Sequence, residues 1–270
     1  MGGRRFRWGS RVYVMGIVNA TPDSFSGDGV LDPEAAVRQA RRMIDEGADL
    51  IDVGGESTRP GYAPVSAEEE LRRVLPVLRR LRPVATVPVS IDTWKLEVAE
   101  AAAAEGAAIV NDIWGLQRSP GLAGLAARRG LGLVLMHNQD GTAYASDLLA
   151  EVTASLRRSL AVALAAGVPR ERVVLDPGIG FGKTAAHGVE VLRRFAELNE
   201  LGQPLLVGPS RKSFLERIFG QPVEQRLPGT IASVTAAVLR GADIVRVHDV
   251  AEVARAVRVA EALRTASPDR

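Results

Sequence analysis

DPEAAVRQARRMIDEGADLIDV, residues 32–53, contains one complete structural unit. Asp32 before Pro33 is a helix start: a capping oxygen, then a residue whose missing N–H costs nothing in the first turn. From Pro33 to Glu46 the apolar residues recur at helical spacing. Glu46-Gly47 is a helix stop, because glycine accepts the backbone that ends a helix. Leu50 to Val53 then forms a short apolar run without strict alternation, as expected of a parallel strand buried on both faces.

The same alternation extends in both directions. Further strands are predicted at Tyr13 to Val18, Val87 to Ile91, Ala108 to Val110, Gly132 to Met136, Arg172 to Leu175, Pro204 to Val207 and Asp243 to Val247. Helices are predicted at Ala67 to Leu81, Lys95 to Glu105, Leu122 to Arg129, Asp147 to Ala166, Val189 to Leu201, Gly229 to Arg240 and Val250 to Leu263. Ser66 is a second capped start, and Glu105-Gly106, Ala166-Gly167 and Arg240-Gly241 are further stops. Eight such units in roughly 250 residues fit an α/β fold of the (β/α)8 TIM barrel type. No linker divides the chain, so one domain over residues 1–270 is expected, with its core at about 12–264. A doubly wound open sheet is the alternative, because alternation alone does not show closure. Two long connections, Asn19 to Asp32 and Gly54 to Ser66, follow early strands, where loops usually carry function.

Composition excludes several classes. The chain has no cysteine, which removes disulfides, thiolate metal sites and thiol nucleophiles. No apolar stretch approaches the ~20 residues of a membrane span. The basic start, Met1 to Ser10, leads into no secretory core, so a cytoplasmic protein is expected. The net charge is only +2, and the arginines stand mostly beside Glu on helical faces. That pattern predicts neither a nucleic-acid nor a membrane partner.

Polar residues collect where the predicted strands end. These are Asn19, Asp92, Asn111 with Asp112, His137 with Asn138, Asp176, the run Gly208-Pro209-Ser210-Arg211-Lys212, and Arg246 with His248. In a parallel barrel all of them converge on one mouth, where barrel active sites are built. Turn formation explains any one of them; the whole set reads as an active site. Asp92, Asn111 and Asp176 suit a flat ring bearing several N–H groups. Lys212, Arg246 and His248 add positive charge, so a heterocycle joined to an anion is implied. No Ser–His–Asp order and no metal-spaced cluster is present, so covalent catalysis by the protein is not indicated. Asp52 and His187 read as structural, beside other turn formers. Pro177 to Thr184 imitates a P-loop, but Pro177 stands where that loop needs its first glycine.

Longer motifs point further. Met15-Gly16-Ile17-Val18-Asn19-Ala20-Thr21-Pro22-Asp23-Ser24-Phe25-Ser26 and Ile51-Asp52-Val53-Gly54-Gly55-Glu56-Ser57-Thr58-Arg59-Pro60-Gly61 resemble the first two signatures of the dihydropteroate synthases. Ser90-Ile91-Asp92-Thr93, Asn111-Asp112, Asp176-Pro177-Gly178-Ile179-Gly180-Phe181, Ser210-Arg211-Lys212-Ser213 and Arg246-Val247-His248-Asp249 match later blocks in order. The resemblance runs from about Gly16 to Val250. It implies a homodimeric transferase of folate biosynthesis and a sulfonamide target, condensing 6-hydroxymethyl-7,8-dihydropterin pyrophosphate with p-aminobenzoate in the presence of Mg2+.

By matching position, Asp92, Asn111, Asp176 and Lys212 are expected on the pterin edge. Ile113, Met136, Phe181 and Gly208 are expected on its faces, with Arg246 stacked on the ring. Asn19, Arg59, Arg246 and His248 are expected on pyrophosphate, with Asn19 also near Mg2+. Thr58, Arg59 and Pro60 fall in the second loop and Asp23, Ser24 and Phe25 in the first. Ser213 is expected at the p-aminobenzoate carboxylate. The leaving group suggests early C–O cleavage, an SN1-like course resting on leaving-group stabilisation and positioning.

Two departures stand out. The segment Gly27 to Asp32 is shorter than the family leads one to expect, and Pro209 stands where Thr is commoner. The rivals are a pterin-binding methyltransferase domain and a catalytically silent pterin-binding relative. Neither needs both Ser57-Thr58-Arg59-Pro60-Gly61 and Arg246-Val247-His248, which this chain has.

Overall fold

Several helices begin where the sequence supplies an oxygen to otherwise unpaired amides. Asp32 accepts from the Glu34 and Ala35 amides at 3.1 Å each, Ser66 from Glu69 at 3.2 Å, and Asp147 from Ala150 at 2.9 Å. The computed structural model describes residues 1–21, 32–56 and 64–265. In chain order the elements are β1 (Tyr13–Asn19), α1 (Pro33–Asp45), β2 (Leu50–Gly54), α2 (Ala67–Leu81), β3 (Val89–Asp92), α3 (Leu96–Ala104), β4 (Ile109–Asp112), α4 (Gly121–Arg129) and β5 (Gly132–Met136). There follow α5 (Leu148–Ala165), β6 (Val173–Asp176), α6 (Ala185–Arg193), β7 (Leu206–Val207), α7 (Ser213–Phe219), α8 (Leu227–Leu239), β8 (Ile244–Val247) and α9 (Val250–Thr265).

The strands are all parallel, in the order β6-β5-β4-β3-β2-β1-β8-β7. One parallel bridge, Leu175 to Leu205, joins the two ends of that order. The ring therefore closes, which decides for the barrel over the open sheet. Apolar helix faces pack on the outside of the strands and form the larger core, from Val14 and Val18 round to Val257 and Ala260. The barrel interior holds a second cluster: Tyr13, Met15, Leu50, Ile109, Val134, Val174, Leu206 and Ile244.

The basic start of the chain has a packing role at the N-terminal end of this interior. Met1, Phe6 and Trp8 pack against the inner cluster; Phe6 stacks on Trp8, and both meet Tyr13 edge-on, with centroids 4.9–5.6 Å apart. One predicted helix differs. Val189 to Leu201 is not continuous: α6 starts earlier, at Ala185, and a 3-10 turn spans Phe195–Leu201. The earlier start comes from a reciprocal cap, in which Thr184 and His187 each accept the other's backbone amide. That gives His187 the structural role expected of it. Among the described residues no helix is long and apolar enough to cross a membrane.

Candidate active site

Side chains alternate along a strand, so the inner cluster sets the phase for everything above it. Two residues beyond Leu50 is Asp52; beyond Ile109, Asn111; beyond Val134, Met136; beyond Val174, Asp176; beyond Leu206, Gly208; beyond Ile244, Arg246. Apolar side chains thus fill the barrel to mid-height, and polar ones continue the same inward rows to its C-terminal mouth. Asp112 is out of phase and turns away, accepting from the Trp114 and Leu116 amides at 2.8 and 2.6 Å.

Register brings the polar set together. Gly54 pairs with Asp92, Asp92 with Asn111, and Met136 with Asp176. Arg246 reaches across the mouth, giving Nε to Asp52 Oδ2 and Nη2 to Asp92 Oδ2, both at 2.6 Å. Asn111 Nδ2 donates to the same Asp52 oxygen at 2.9 Å. The second oxygens, Asp52 Oδ1 and Asp92 Oδ1, are buried without a hydrogen-bond partner among the described residues. A buried acceptor left unpaired costs about 1–3 kcal/mol, so these two oxygens are suited to ligand N–H groups. Burial pushes Asp92 up to about 7 against the pull of Arg246, with Asp52 adding to the rise.

Asp176 lies on the opposite side of the mouth. Its Oδ1 accepts from the Gly178 amide at 2.7 Å. Burial raises its pKa, while Lys212 opposes the shift. Lys212 is itself pushed down to about 8 by burial, with Asp176 opposing. Its amine donates to the Ile179 carbonyl and stands 4.6 Å from the centroid of the half-buried Phe181 ring. A Cβ at Gly208 would lie 3.9 Å from the Lys212 Nζ and 3.7 Å from the Arg246 Cβ. Glycine therefore keeps the space between the two cations open. Ile113 and Met136 are buried beside these groups.

The turn before Lys212 is fixed by residues that strand-end reading passed over. Arg211 has φ +56, a conformation rare outside glycine. It is held there by its pair with Asp249, by its amide on Thr230 Oγ1 at 3.1 Å, and by Arg226 on its carbonyl at 2.9 Å. Lys212 takes the N-cap position of α7, and Ser213, exposed, is the first helical residue. His248 is half-buried, and its amide donates to Ser210 Oγ at 3.2 Å. Ser210 Oγ is also 2.9 Å from His248 Nδ1.

Of the expected site residues, Asp92, Asn111, Ile113, Met136, Asp176, Phe181, Gly208, Lys212 and Arg246 surround one mouth. Asn19, half-buried, ends β1 on the same rim, and His248 follows β8. Phe25, Thr58, Arg59 and Pro60 lie outside the described residues, as do Asp23 and Ser24. Asp52, expected to be structural, is fully buried and holds both Arg246 and Asn111. Its place inside an apolar strand, rather than after one, gives no strand-end mark of a role at the mouth. The available signal was its spacing of two from the inward-facing Leu50. A separate hollow, lined by Trp8, Arg170, Gln203, Asp243 and Arg264 among others, lies at the other end of the barrel.

Comparison with known proteins gives a consistent set of likenesses. The profile of the pterin binding enzyme family matches residues 15–248. A dihydropteroate synthase of Clostridium beijerinckii is 46% identical over 254 residues, which cover 93% of this chain and 94% of the relative. A solved dihydropteroate synthase of Clostridium difficile, determined in the presence of pteroic acid, superposes with a TM-score of 0.92 at 45% identity. That likeness covers 96% of this chain and 99% of the other. The Yersinia pestis dihydropteroate synthase, solved with a sulfonamide drug, gives 0.91 at 43% identity, covering 95% and 96%.

Proposed function

The chain belongs to the pterin-binding enzyme family, and within it to the dihydropteroate synthases, transferases of folate synthesis; from that premise we propose how its own residues carry the reaction. The pterin pyrophosphate enters the mouth with its aminopyrimidinone edge toward the buried carboxylates. The two unpaired oxygens of Asp52 and Asp92 carry this reading. They need N–H donors, and a pterin edge supplies several. Asn111 and Asp176 complete the hydrogen bonding, and Lys212 donates to a ring acceptor. Phe181, Ile113 and Met136 line the ring, and the Arg246 guanidinium, kept planar between two carboxylates, stacks on it.

Arg246 already faces Asp52 and Asp92, so much of its charge is neutralised before substrate arrives. Pyrophosphate therefore needs further donors, and His248, Asn19 and Arg59 are assigned to it. Mg2+ also belongs here. Among the described residues no three His, Cys, Asp or Glu side chains converge on a metal position. The Asn19 amide oxygen is a single donor, which fits an ion that keeps its waters and takes phosphate oxygens as ligands. When bound, Mg2+ supplies charge neutralisation to the leaving group.

The C–O bond of the hydroxymethyl group breaks first, and its electron pair leaves with pyrophosphate. The pterin carries the resulting cation. The neutral aryl amine of p-aminobenzoate then forms the C–N bond, and the ammonium proton passes to solvent. No general base is required, and catalysis is positioning plus leaving-group stabilisation. Ser213 is assigned the carboxylate, and Phe25, Thr58 and Pro60 are assigned to substrate binding from the two long loops. Sulfonamides compete for this aryl site, a reading supported by the Yersinia pestis relative and its bound drug. Action as a cytoplasmic homodimer belongs to the same reading. The test is pyrophosphate release with purified protein. Release should depend on p-aminobenzoate and be blocked competitively by a sulfonamide; release that proceeds equally without the aryl amine would refute it.

A further inference from the structure

Pro177 to Thr184 imitates a P-loop in sequence, and the reaction above gives its lysine nothing to do. In the fold Lys183 is 8% exposed and lies beside the pterin end of the site. Its Nζ is 2.7 Å from His137 Nδ1 and 3.2 Å from the Phe181 carbonyl. His137 is buried too, and its backbone N–H donates to the Asp176 carbonyl at 2.9 Å. Burial drives the imidazole down to about 3, with Lys183 adding to the shift, so the ring is neutral and presents Nδ1 as an acceptor. Burial also pulls Lys183 down to about 7, against Asp176. Charged or neutral, the amine keeps the two N–H donors its two acceptors need.

The segment between is folded back tightly on the end of β5. Gly178 has φ +71, and a Cβ there would meet the His137 carbonyl at 2.0 Å. Gly182 has φ +54 and packs against Gln139, and Tyr144 donates its hydroxyl to the Gly182 carbonyl at 2.9 Å. The segment carries two groups that hold Lys212: the Ile179 carbonyl and the Phe181 ring. We propose that Lys183 is a positioning residue for pterin recognition: by tying the Phe181 carbonyl to His137, it sets the Phe181 ring and the Lys212 amine against the heterocycle. This rests on the pterin-pocket reading above. A lysine that merely fills the loop would affect stability and leave the balance between the two substrates unchanged.

The chain has no cysteine, so Lys183→Cys introduces a single thiol. Alkylating it with bromoethylamine in denaturant and refolding restores an amine at lysine length. Lys183→Met should weaken pterin-analogue binding by calorimetry, and raise the KM of the pterin substrate, by about tenfold, the scale of one lost buried hydrogen bond. The KM of p-aminobenzoate should stay within about twofold, since no contact with its site is lost. Aminoethylated Lys183→Cys should bind the pterin analogue markedly better than the unmodified variant. Tyr144→Phe, which removes one hydroxyl from the same clamp, should fold and show a smaller loss of the same kind. Unchanged pterin affinity in Lys183→Met, equal losses for both substrates, or no recovery on aminoethylation would overturn the inference. Should Lys183→Met not fold, unchanged pterin affinity in Tyr144→Phe overturns it. Asp176→Ala separates the two levels: unaltered pterin affinity there removes the pocket reading and this inference together. A loss in Asp176→Ala without one in Lys183→Met removes only the inference.

Discussion

Asp92→Asn should make the protein more stable at alkaline pH and a poorer enzyme. Asp92 is drawn up to about 7 by burial, Arg246 opposing and Asp52 assisting. In the unfolded chain its pKa is about 3.9. The folded state thus holds a proton that the unfolded state has lost, and stability falls as pH rises through that interval. From these two values the ionised side chain costs roughly 1–2 kcal/mol at pH 5 and roughly 4 kcal/mol at pH 8, relative to its protonated form. Asn imitates the protonated form: it keeps an acceptor for Arg246 and carries no charge. The variant should therefore gain these amounts, and at ~2–4 °C per kcal/mol the rise in Tm at pH 8 approaches ten degrees. Denaturant unfolding of both proteins between pH 5 and 8 measures the difference directly. A stability difference that does not grow with pH, or a variant less stable at pH 8, would refute the assignment. The same substitution should lower kcat/KM for the pterin substrate, because it removes the buried carboxylate oxygen proposed to accept from the pterin edge.

Asp176→Ala should cost on the order of 3 kcal/mol in pterin-analogue affinity, the worth of a charge-assisted bidentate contact, and calorimetry tests it; undiminished binding counts against the pocket. His248→Ala should chiefly reduce kcat, because the proposed role of its Ser210-bonded ring is to stabilise the leaving group. Full turnover at saturating pterin pyrophosphate and Mg2+ would remove that role. Binding of p-aminobenzoate should be weak to the protein alone and tighter once pyrophosphate and a pterin analogue are present. Equal affinity in both conditions excludes ordered binding, and unchanged affinity in Ser213→Ala excludes that residue as the carboxylate contact.

The helices and strands were legible because their causes are local. Asp32, Ser66 and Asp147 cap the helices that follow them, and short apolar runs become the strands. Where a local cause is subtler, as in the Thr184–His187 cap, the boundary was misplaced by several residues. Much of the mouth was also legible. A parallel barrel sends every strand's C-terminal end to one face, so Asp92, Asn111, Asp176, Lys212 and Arg246 could be gathered from strand ends alone.

By itself the sequence determined eight units, one mouth and the kinds of side chain around it. Closure was decided only in three dimensions, by the contact of Leu175 with Leu205. So was the grip of Asp52 on Arg246, which lie 194 positions apart in the chain. The pairing of Lys183 with His137 across 46 positions is of the same kind. The physical reason is shared. Residue type and spacing fix which face of a strand a side chain takes. Register between strands and the tilt of a closed barrel fix which distant charge it meets, and no local preference encodes them.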